Sequence, residues 1–461
     1  MSQAHEPAIA APAAARWRVY PAYKPSGVDW LGEIPAHWEV WKVTHAFKII
    51  GSGTTPPTSQ QEEYYNGDIP WVNTGELRDG IVSDTAKKLT DKALADFPTL
   101  RTYPAGTLLV ALYGATIGKV GILQIAATTN QACCALAGPE QLDVSFTFYW
   151  LIAQRQRLIF LASGGGQPNI SQETIRSLRI PAPSLPEQRA IAAFLDRETA
   201  KLDALAAQKE RLIELLQEKR AALISHAVTK GLDAAAPLKA SGVEWLGEIP
   251  TGWEVRRLKF LKSFVTSGSR GWAQYYGDDG PLFLRIGNLS RTSIDLDFDD
   301  IQHVSPPEGT EGERTRVNPG DVLISITAYI GSIAVVPEDV GEAYVNQHIA
   351  LTRPRQDAIT PRWFGYYLLS RAGQDQFRLL LYGGTKDGLG LDDVKNLLVL
   401  VPPLLDQQAL AAFLDRETAK IDHLISVIRA GTQKVQEERA ALIAAAVTGK
   451  IDVRAEAGGG V

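Results

Sequence analysis

Hydrophobic residues recur along residues 185–233 in alternating steps of three and four, the spacing of a helix that buries one seam against a partner helix. Charged residues occupy the other positions, and residues 404–452 repeat the pattern. We therefore predict two long helices that pack along this seam. Gly431 replaces the seam leucine that matches Leu212, at a cost of about 1 kcal/mol relative to alanine, so we expect a bend there. The predicted seam comprises Leu195, Leu202, Leu205, Leu212, Leu216, Leu223, Leu414, Ile421, Leu424, Ile428, Val435 and Leu442.

The two helices are near copies of one another. The decapeptide AAFLDRETAK begins at Ala192 and again at Ala411, and this shift of 219 residues holds to the helix ends without an insertion or deletion. Surface segments tolerate changes of length at low cost, so an unchanged register indicates that the length matters. We interpret the helices as spacers of fixed length that partner each other. An ordinary dimerisation coil is the alternative that periodicity alone leaves open.

A second repeat marks the start of each block. The segment SGVDWLGEIPAHWEV, residues 26–40, returns as SGVEWLGEIPTGWEV, residues 241–255. Its tryptophans and prolines predict a packed clasp rather than a ligand-stacking surface. Between clasp and helix, each block has the pattern of an α+β domain with many short strands, followed by an aromatic-rich helix and a glycine-rich loop. We predict strands at residues 69–72, 107–112, 120–125, 282–286 and 322–326, and aromatic-rich helices at residues 146–161 and 363–381.

These repeats predict a chain of six parts. The parts are a disordered tail (1–20), a first globular domain (21–184), a central spacer helix (185–233), a second globular domain (234–403), a C-terminal spacer helix (404–452) and a flexible tail (453–461). A chain of 461 residues with 45% hydrophobic residues is long enough for two domains with cores. No run resembles a signal peptide or a membrane span, so we expect a cytoplasmic protein.

The cysteines and the charge narrow the choice of chemistry. Cys133 and Cys134 are adjacent in an apolar run, which excludes a disulfide framework and favours buried strand positions over a metal or redox site. The net charge is −5 and the pI about 5.9, which counts against holding nucleic acid by bulk electrostatics. Any DNA binding must therefore use a local face. The acidic run at residues 295–300 has the composition of a solvated loop.

The glycine-rich stretches do not match the motifs of nucleotide-binding enzymes. GATIGKV, residues 114–120, is one residue short of a P-loop and has valine where the Mg²⁺-binding hydroxyl belongs. The chain has no GxGxxG after a strand, no HExxH, no paired CxxC and no Asn/Asp-Pro-Pro-aromatic tetrapeptide of an amino-methyltransferase. We therefore predict a non-catalytic chain without a cofactor or metal of its own.

Two diverged modules on a fixed spacer suit a bipartite target. A protein with two groove-reading modules matches DNA half-sites whose separation follows the geometry of the modules. A helix of roughly 40 residues is about 60 Å long, and modules at its ends could sit one to one and a half DNA turns apart, at ~34–36 Å per turn. Because the modules differ in sequence, we expect the half-sites to differ, which makes the target asymmetric.

At this level of detail the chain resembles the specificity subunit of type I restriction-modification systems, over nearly its whole length. The motifs that carry the resemblance are the repeated SGV-(Asp/Glu)-WLGEIP opening, GSGTTP followed by YYNGDIPWVNTGEL, the YGATIGK and TTNQA stretches, the GGGQPNIS loop and the PSLPEQ entry to the first long helix. The second block departs further from the pattern, because YGGTKDGLG stands where GGGQPNIS stands in the first.

The resemblance implies an α+β fold: two tandem, pseudo-two-fold-related α/β target-recognition domains separated by two long helices that pair as an antiparallel coiled coil. It implies double-stranded DNA and two modification subunits as partners, the latter bringing S-adenosylmethionine and methylating adenine at N6. Restriction subunits that join such a core cleave DNA with ATP and Mg²⁺, and the sequence leaves their presence open. The specificity subunit itself would catalyse nothing.

Polar side chains in loops that differ between the blocks are our candidates for DNA contact, because such groups suit base edges or phosphates. The candidates are Thr54, Thr55, Ser59, Gln60, Tyr64, Asn73, Thr74, Gln167 and Asn169 in the first block, and Ser269, Arg270, Trp272, Tyr275, Arg285, Asn288, Arg291 and Lys386 in the second. For each residue, a loop-stabilising role is the alternative. Arg270 and Arg285 suit guanine, whereas Gln167 and Asn169 suit adenine.

Two other functions fit parts of the sequence. A protein-interaction scaffold, with ligands bound by the variable loops and no DNA, agrees with the acidic net charge. An enzyme with an unrecognised site agrees with the length alone. Salt-dependent DNA binding together with a methyltransferase partner separates the first from the DNA-binding hypothesis. Cofactor-dependent turnover by the isolated chain would support the second.

Overall fold

A computed structural model describes residues 17–162, 169–268, 270–306, 310–381 and 388–458. The chain forms two compact units. Unit 1 comprises residues 1–209 and 430–461, and unit 2 comprises residues 210–429. Each unit therefore contains one globular domain together with part of each long helix.

The described helices and strands alternate along both halves of the chain. The helices are α1 (Val43–Ala46), α2 (Gln61–Tyr64), α3 (Asp91–Asp96), α4 (Val144–Ala153), α5 (Arg155–Phe160), α6 (Gln172–Ser177), α7 (Leu185–Lys230), α8 (Thr310–Thr315), α9 (Pro361–Leu369), α10 (Arg371–Leu381), α11 (Leu391–Lys395) and α12 (Leu404–Val447). The strands of unit 1 are β1 (Tyr23–Pro25), β2 (Glu33–Pro35), β3 (Glu39–Lys42), β4 (Phe47–Ser52), β5 (Tyr65–Val72), β6 (Gly80–Val82), β7 (Lys88–Leu89), β8 (Leu108–Ala111), β9 (Val120–Leu123), β10 (Thr128–Thr129), β11 (Cys133–Pro139) and β12 (Arg179–Ala182). Those of unit 2 are β13 (Leu238–Ala240), β14 (Glu248–Pro250), β15 (Glu254–Arg257), β16 (Lys262–Ser267), β17 (Tyr276–Leu284), β18 (His303–Val304), β19 (Val322–Ser325), β20 (Ile333–Val335), β21 (Ala343–Val345), β22 (Ile349–Pro354) and β23 (Leu398–Val401).

Unit 1 is built around a mixed sheet with strand order β4-β11-β8-β9-β6, beside a smaller sheet with order β10-β5-β7. Strand β11 pairs with β4 and β8 and is apolar because it lies in the middle of the sheet. Cys133 and Cys134 begin this strand and are fully buried, as predicted. Burial raises the pKa of the Cys134 thiol to about 12, so the thiol is protonated at neutral pH.

Unit 2 repeats this plan in reduced form. Its sheets have the orders β16-β22-β19-β20 and β18-β17-β21. In both units the smaller sheet contains one parallel pair, formed by a long strand and a strand from later in the domain: β5 pairs with β10, and β17 pairs with β21. The predicted α+β fold with two related domains is confirmed.

The two long helices run antiparallel. In unit 2, the guanidinium of Arg220 in α7 binds Asp422 in α12, with Nε–Oδ1 2.9 Å. In unit 1, Arg439 in α12 binds Asp203 in α7, with Nε–Oδ1 2.8 Å. These pairs are equivalent under the 219-residue repeat, and they join the late part of one helix to the early part of the other.

The helix seam differs from the prediction at three positions. Leu205, Leu212 and Leu424 are 41%, 45% and 45% exposed. Ile213 and Ile425 are buried instead and form a cluster with Ile421 and Ile428. The reason is periodicity: an α-helix has 3.6 residues per turn, whereas the predicted seam repeats every 3.5 residues. Over several turns the buried stripe therefore moves onto neighbouring positions.

The two long helices end three and five residues before the predicted bounds at 233 and 452, each close to a glycine. Gly231 follows α7 with φ +77°, and Gly449 lies two residues beyond α12 with φ +73°. This left-handed conformation favours glycine because it carries no Cβ. The predicted aromatic-rich helices are each broken in two, at Gln154 and at Ser370. Ser370 leaves the helical conformation and its hydroxyl accepts from the Gly373 amide, which starts α10 afresh.

The tryptophan clasp packs as predicted. Trp38 is fully buried against Phe146, and Trp253 packs edge-on against Trp363 with ring centroids 5.5 Å apart.

The predicted tails, residues 1–20 and 453–461, each include a residue that is packed in the fold. Tyr20 is 2% exposed and donates to Glu187 at 2.9 Å. Val453 is also fully buried.

Candidate nucleic-acid interface

A glycine fixes the first variable loop of each unit against the smaller sheet. A Cβ on Gly53 would lie 1.8 Å from the carbonyl oxygen of Thr129, and a Cβ on Gly268 would lie 2.1 Å from that of Asn346. Neither position therefore accepts a side chain without a backbone shift. The two glycines are equivalent under the repeat of the clasp segment, so both units position their loop in the same way.

In unit 1, buried aromatic groups hold the backbone of this loop. The Tyr65 hydroxyl donates to the Pro56 carbonyl at 2.6 Å, and the Trp71 indole donates to the Thr54 carbonyl at 3.2 Å. The Thr55 hydroxyl donates to Gln131 at 2.6 Å and remains exposed. The predicted contacts Ser59 and Gln60 are exposed on the same loop.

The second loop of each unit is a capped turn that follows the long strand β5 or β17. In unit 1 the Asn73 amide donates to the Glu76 carboxylate at 2.7 Å. In unit 2 the Arg285 amide donates to the Asn288 side chain at 2.8 Å. The same backbone turn therefore displays an asparagine in one unit and an arginine in the other, both half-buried.

A short turn connects the first two loops of unit 1. Asn130 donates to the Asn73 side-chain oxygen at 3.2 Å, and the neighbouring Gln131 accepts from Thr55. The structure thus brings Thr55 and Asn73 to one edge of the domain. The contacts predicted from the sequence did not include Gln131. The signal available was the dipeptide Asn130-Gln131, which recurs as Asn346-Gln347 in the second block.

Three predicted contact residues are buried. Tyr64 is 7% exposed and its ring packs against Phe97. Trp272 is 3% exposed and stacks on Phe283 with centroids 5.7 Å apart. Asn288 is 2% exposed and its amide donates to two backbone carbonyls, at 2.8 and 3.0 Å. Sequence alone did not separate these groups from surface ones because loops with internal cores also contain aromatic and amide residues.

The remaining candidates differ in exposure. Arg270, Arg291 and Asn169 are exposed, whereas Thr54, Thr74 and Tyr275 are half-buried. The Arg285 guanidinium is held by Asp300, with Nη2–Oδ2 3.0 Å. Gln167, Ser269 and Lys386 lie outside the described residues.

Tyr329 is an exposed aromatic residue that sequence reasoning missed. Its side chain is 73% exposed and its φ is +50°, an unfavourable conformation for a residue with a side chain. The hydroxyls of Ser325 and Ser332 donate to its carbonyl at 2.6 and 2.9 Å and hold the turn. A cleft of about 450 Å³ lies between Tyr329 and Arg291. The signal in the sequence was an aromatic residue inside an otherwise small-residue turn, TAYIG.

Neither a metal centre nor a membrane span is found in the described part of the chain. No cluster there contains three or more histidine, cysteine, aspartate or glutamate residues placed to hold a metal ion. None of its helices combines the length and the apolarity needed to cross a bilayer.

Comparison with known proteins identifies the family. The family model described as "Type I restriction modification DNA specificity domain" matches residues 35–215 and 310–427, which together make up more than half of the chain. The chain belongs to the family of type I restriction modification DNA specificity domains. The predicted resemblance is confirmed.

Members of this family resemble the chain over most of its length. The type I restriction enzyme MjaIX specificity subunit of Methanocaldococcus jannaschii is 29% identical over 81% of this chain and 85% of its own. The MjaVIII specificity subunit of the same organism is 24% identical over 91% of this chain and 94% of its own. A solved chain from work on complex assembly and conformational transition of the type I R-M system has a TM-score of 0.67 at 18% identity, covering 90% of this chain and 98% of that one. This last likeness shows the fold.

Proposed function

We propose that this chain is a specificity subunit that directs methylation and restriction to an asymmetric, bipartite DNA target, with one half read by each unit. The observation that carries the proposal is the capped turn: one backbone geometry presents Asn73 in unit 1 and Arg285 in unit 2. Asparagine pairs in bidentate fashion with adenine and arginine with guanine. Equivalent sites with different side chains would read different half-sites.

The side chains that would contact DNA are those that the fold leaves accessible at the two polar edges. In unit 1 they are Thr54, Thr55, Ser59, Gln60, Asn73, Thr74 and Asn169, to which we add Gln131; in unit 2 they are Arg270, Tyr275, Arg285 and Arg291, to which we add Tyr329. Gln167, Ser269 and Lys386 remain candidates from the sequence. The buried residues Tyr64, Trp272 and Asn288 are withdrawn.

Catalysis belongs to partner subunits in this proposal. Two modification subunits would bring S-adenosylmethionine and methylate adenine at N6, and restriction subunits would bring ATP- and Mg²⁺-dependent cleavage. Support for partners comes from exposed apolar side chains in the helical part of unit 2: Leu212, Leu215, Leu424 and Val427 are between 45% and 52% exposed. Apolar groups of this kind favour protein contacts over water.

The experiment is to co-express the chain with the methyltransferase encoded beside it and to map N6-methyladenine across the host genome by single-molecule sequencing. We expect a split, asymmetric motif that is methylated once on each strand and that disappears when this chain is omitted. If both proteins are soluble and associated but no sequence-specific methylation is found, the proposal is wrong. The protein-interaction scaffold would then become the better hypothesis.

A further inference from the structure

Unit 2 contains a basic cleft although the chain as a whole is acidic. The cleft has a volume of about 640 Å³ and lies between α7, α10, α12 and the loop that begins at Ser290. Five arginines and two aspartates are its charged residues, an excess of three positive charges in a chain whose net charge is −5. We call it the arginine cleft, defined by Arg220, Arg291, Arg371, Arg378 and Arg429.

Two of these arginines build the walls of the cleft. Arg220 is 8% exposed, binds Asp422 and donates to the Thr292 carbonyl, which fastens the loop to the helices. The Arg291 guanidinium donates to the Ile330 carbonyl at 2.7 Å. Both have internal partners, so their positions are fixed before any ligand binds.

The positive charges of the other three arginines are only partly neutralised by acidic side chains. Arg371 and Arg378 share a single carboxylate, that of Asp375, with N–O distances of 3.5 and 3.0 Å. Their side chains are 84% and 78% exposed. Arg429 is exposed, and no acidic partner for it is found among the described residues. These groups are free to bind an anion.

The fold itself does not require an arginine at the position of Arg378. Gly118 of unit 1 packs beside Arg155 and Leu158, as Gly331 of unit 2 packs beside Gln374 and Phe377, so the two helices align with a shift of 219 residues. Under that shift, which relates α5 to α10, an isoleucine occupies the position of one α10 arginine in unit 1: Ile159 matches Arg378. A basic residue at this place is therefore particular to unit 2.

The chemistry of the cleft favours phosphate. Planar guanidinium groups bind phosphate oxygens in bidentate fashion, and serine hydroxyls are common donors to DNA phosphates. Ser293 and Ser426 lie among the arginines. Arg291 also lines the neighbouring cleft beneath Tyr329, which leads to the capped turn of Arg285. A DNA strand read at that turn could continue into the arginine cleft, whereas an acidic protein segment would not need this continuity.

We propose that the arginine cleft binds backbone phosphates of DNA next to the half-site that unit 2 reads, independently of base sequence. This inference rests on the proposed function, because it takes DNA as the ligand. It adds a positioning site to the base-reading loops. Such a site supplies affinity and register without specificity.

The test replaces the three accessible arginines by glutamine in the full-length chain (R371Q, R378Q and R429Q together), co-purified with its methyltransferase. Fluorescence anisotropy then gives the affinity for a duplex that carries the methylated motif and for one with both half-sites scrambled, from 50 to 250 mM salt. We expect both affinities to fall by the same factor, about tenfold or more at the lowest salt. We also expect the slope of log affinity against log salt to become shallower by about 0.9 for each phosphate that the variant no longer neutralises.

Two control variants isolate the cause. The triple lysine variant (R371K, R378K and R429K) keeps the charge and should keep most of the slope. Arg416→Gln removes an exposed arginine of α12, the helix that carries Arg429. Arg416 pairs with Glu417 outside the cleft, so this variant should change neither the affinity for DNA nor the salt slope. An unchanged circular dichroism melting curve would show that the glutamine variant is folded. If that variant is unfolded, the single variant R429Q, at a site without an acidic partner, decides by the same slope measurement.

Other outcomes overturn the inference. An unchanged salt slope excludes phosphate binding. Loss confined to the motif duplex would mean that the arginines read bases, and release of the methyltransferase at unchanged DNA affinity would mean that the cleft is a protein interface. If the wild-type complex binds DNA but prefers no sequence, the proposed function is wrong, yet the slope comparison still decides the inference. A wild-type complex that binds no DNA overturns both.

Discussion

The capped turns separate backbone geometry from side-chain identity. The Asn73 and Arg285 amides are satisfied inside the turn, by Glu76 and Asn288 respectively. Both turns satisfy the backbone amide of their first residue in the same way, although the first side chain differs between the units. Asp300 holds the guanidinium of Arg285 in place, and pre-organised donors lose less conformational entropy on binding.

At this scale we predict that Arg285→Ala weakens binding of the cognate duplex by about 1–3 kcal/mol and relaxes one position in the half-site of unit 2. Asn73→Ala should relax one position in the other half-site. Methylome mapping of cells that express each variant with the methyltransferase measures both effects.

The matched control is Asp300→Ala, which removes the partner of Arg285 but leaves the guanidinium. The specified bases should then stay the same. An unchanged motif in the Arg285→Ala strain would show that this guanidinium contacts no base. Equal loss at all sequences would assign it to a phosphate.

The long helices show how a repeated element is held in register. Arg220–Asp422 and Arg439–Asp203 are the same ion pair made twice, once in each unit. In unit 2 the pair lies beside the buried cluster of Ile213, Ile421, Ile425 and Ile428. Apolar burial gives the helices most of their stability, and the directional ion pair selects one alignment.

Gly431 offers a test of how the sequence of α12 contributes to the stability of the protein. It lies inside the continuous helix α12, and a Cβ there would meet only the flexible end of the Lys209 side chain, at 3.0 Å. Gly431→Ala should therefore stabilise the protein by about 0.5–1 kcal/mol, because alanine loses less backbone entropy on folding. The thermal unfolding midpoint of the two proteins, compared at equal concentration, gives the sign.

Gly449→Ala, just beyond the C-terminal end of the same helix, is the opposite case. Its φ is +73°, and a Cβ would lie 2.4 Å from the ring of Pro35. We expect this variant to unfold at a lower temperature than the wild type. A lower midpoint for the Gly431 variant as well would mean that the helix needs the flexibility of glycine there, as for a bend.

For the whole molecule, the two-fold repeat predicts that the domains are exchangeable. The clasp and the long helices recur, whereas the loops between them differ, so one domain should be replaceable without disturbing the other. Replacing residues 234–403 by the equivalent domain of a family member should change one half of the methylated motif and retain the other. Replacing residues 21–184 should do the reverse.

Methylome maps of the two chimaeras provide the measurement. A change in both halves from a single exchange would contradict the assignment of one half-site to each unit. The wild-type chain expressed from the same vector serves as the control. Retained spacing between the half-sites is expected as well, because both chimaeras keep the long helices intact.

The sequence by itself determined the features that depend on local periodicity and on repetition. The two long helices, the tryptophan clasp and the buried cysteines are confirmed because each follows from residues that are close in sequence. The repeat shift also located equivalent loops. These patterns can be recognised without knowledge of contacts between distant residues.

Only the tertiary structure decided which side chains of those loops face water. Tyr64, Trp272 and Asn288 have the chemistry of DNA contacts, yet small cores inside the domains enclose them. The exposure of Leu212 and the burial of Ile213 likewise depend on where the partner helix lies. The arginine cleft assembles residues more than 200 positions apart. The burial of a side chain and the clustering of charged residues from distant parts of the chain both depend on tertiary packing. Neither can therefore be predicted from residues that are adjacent in the sequence.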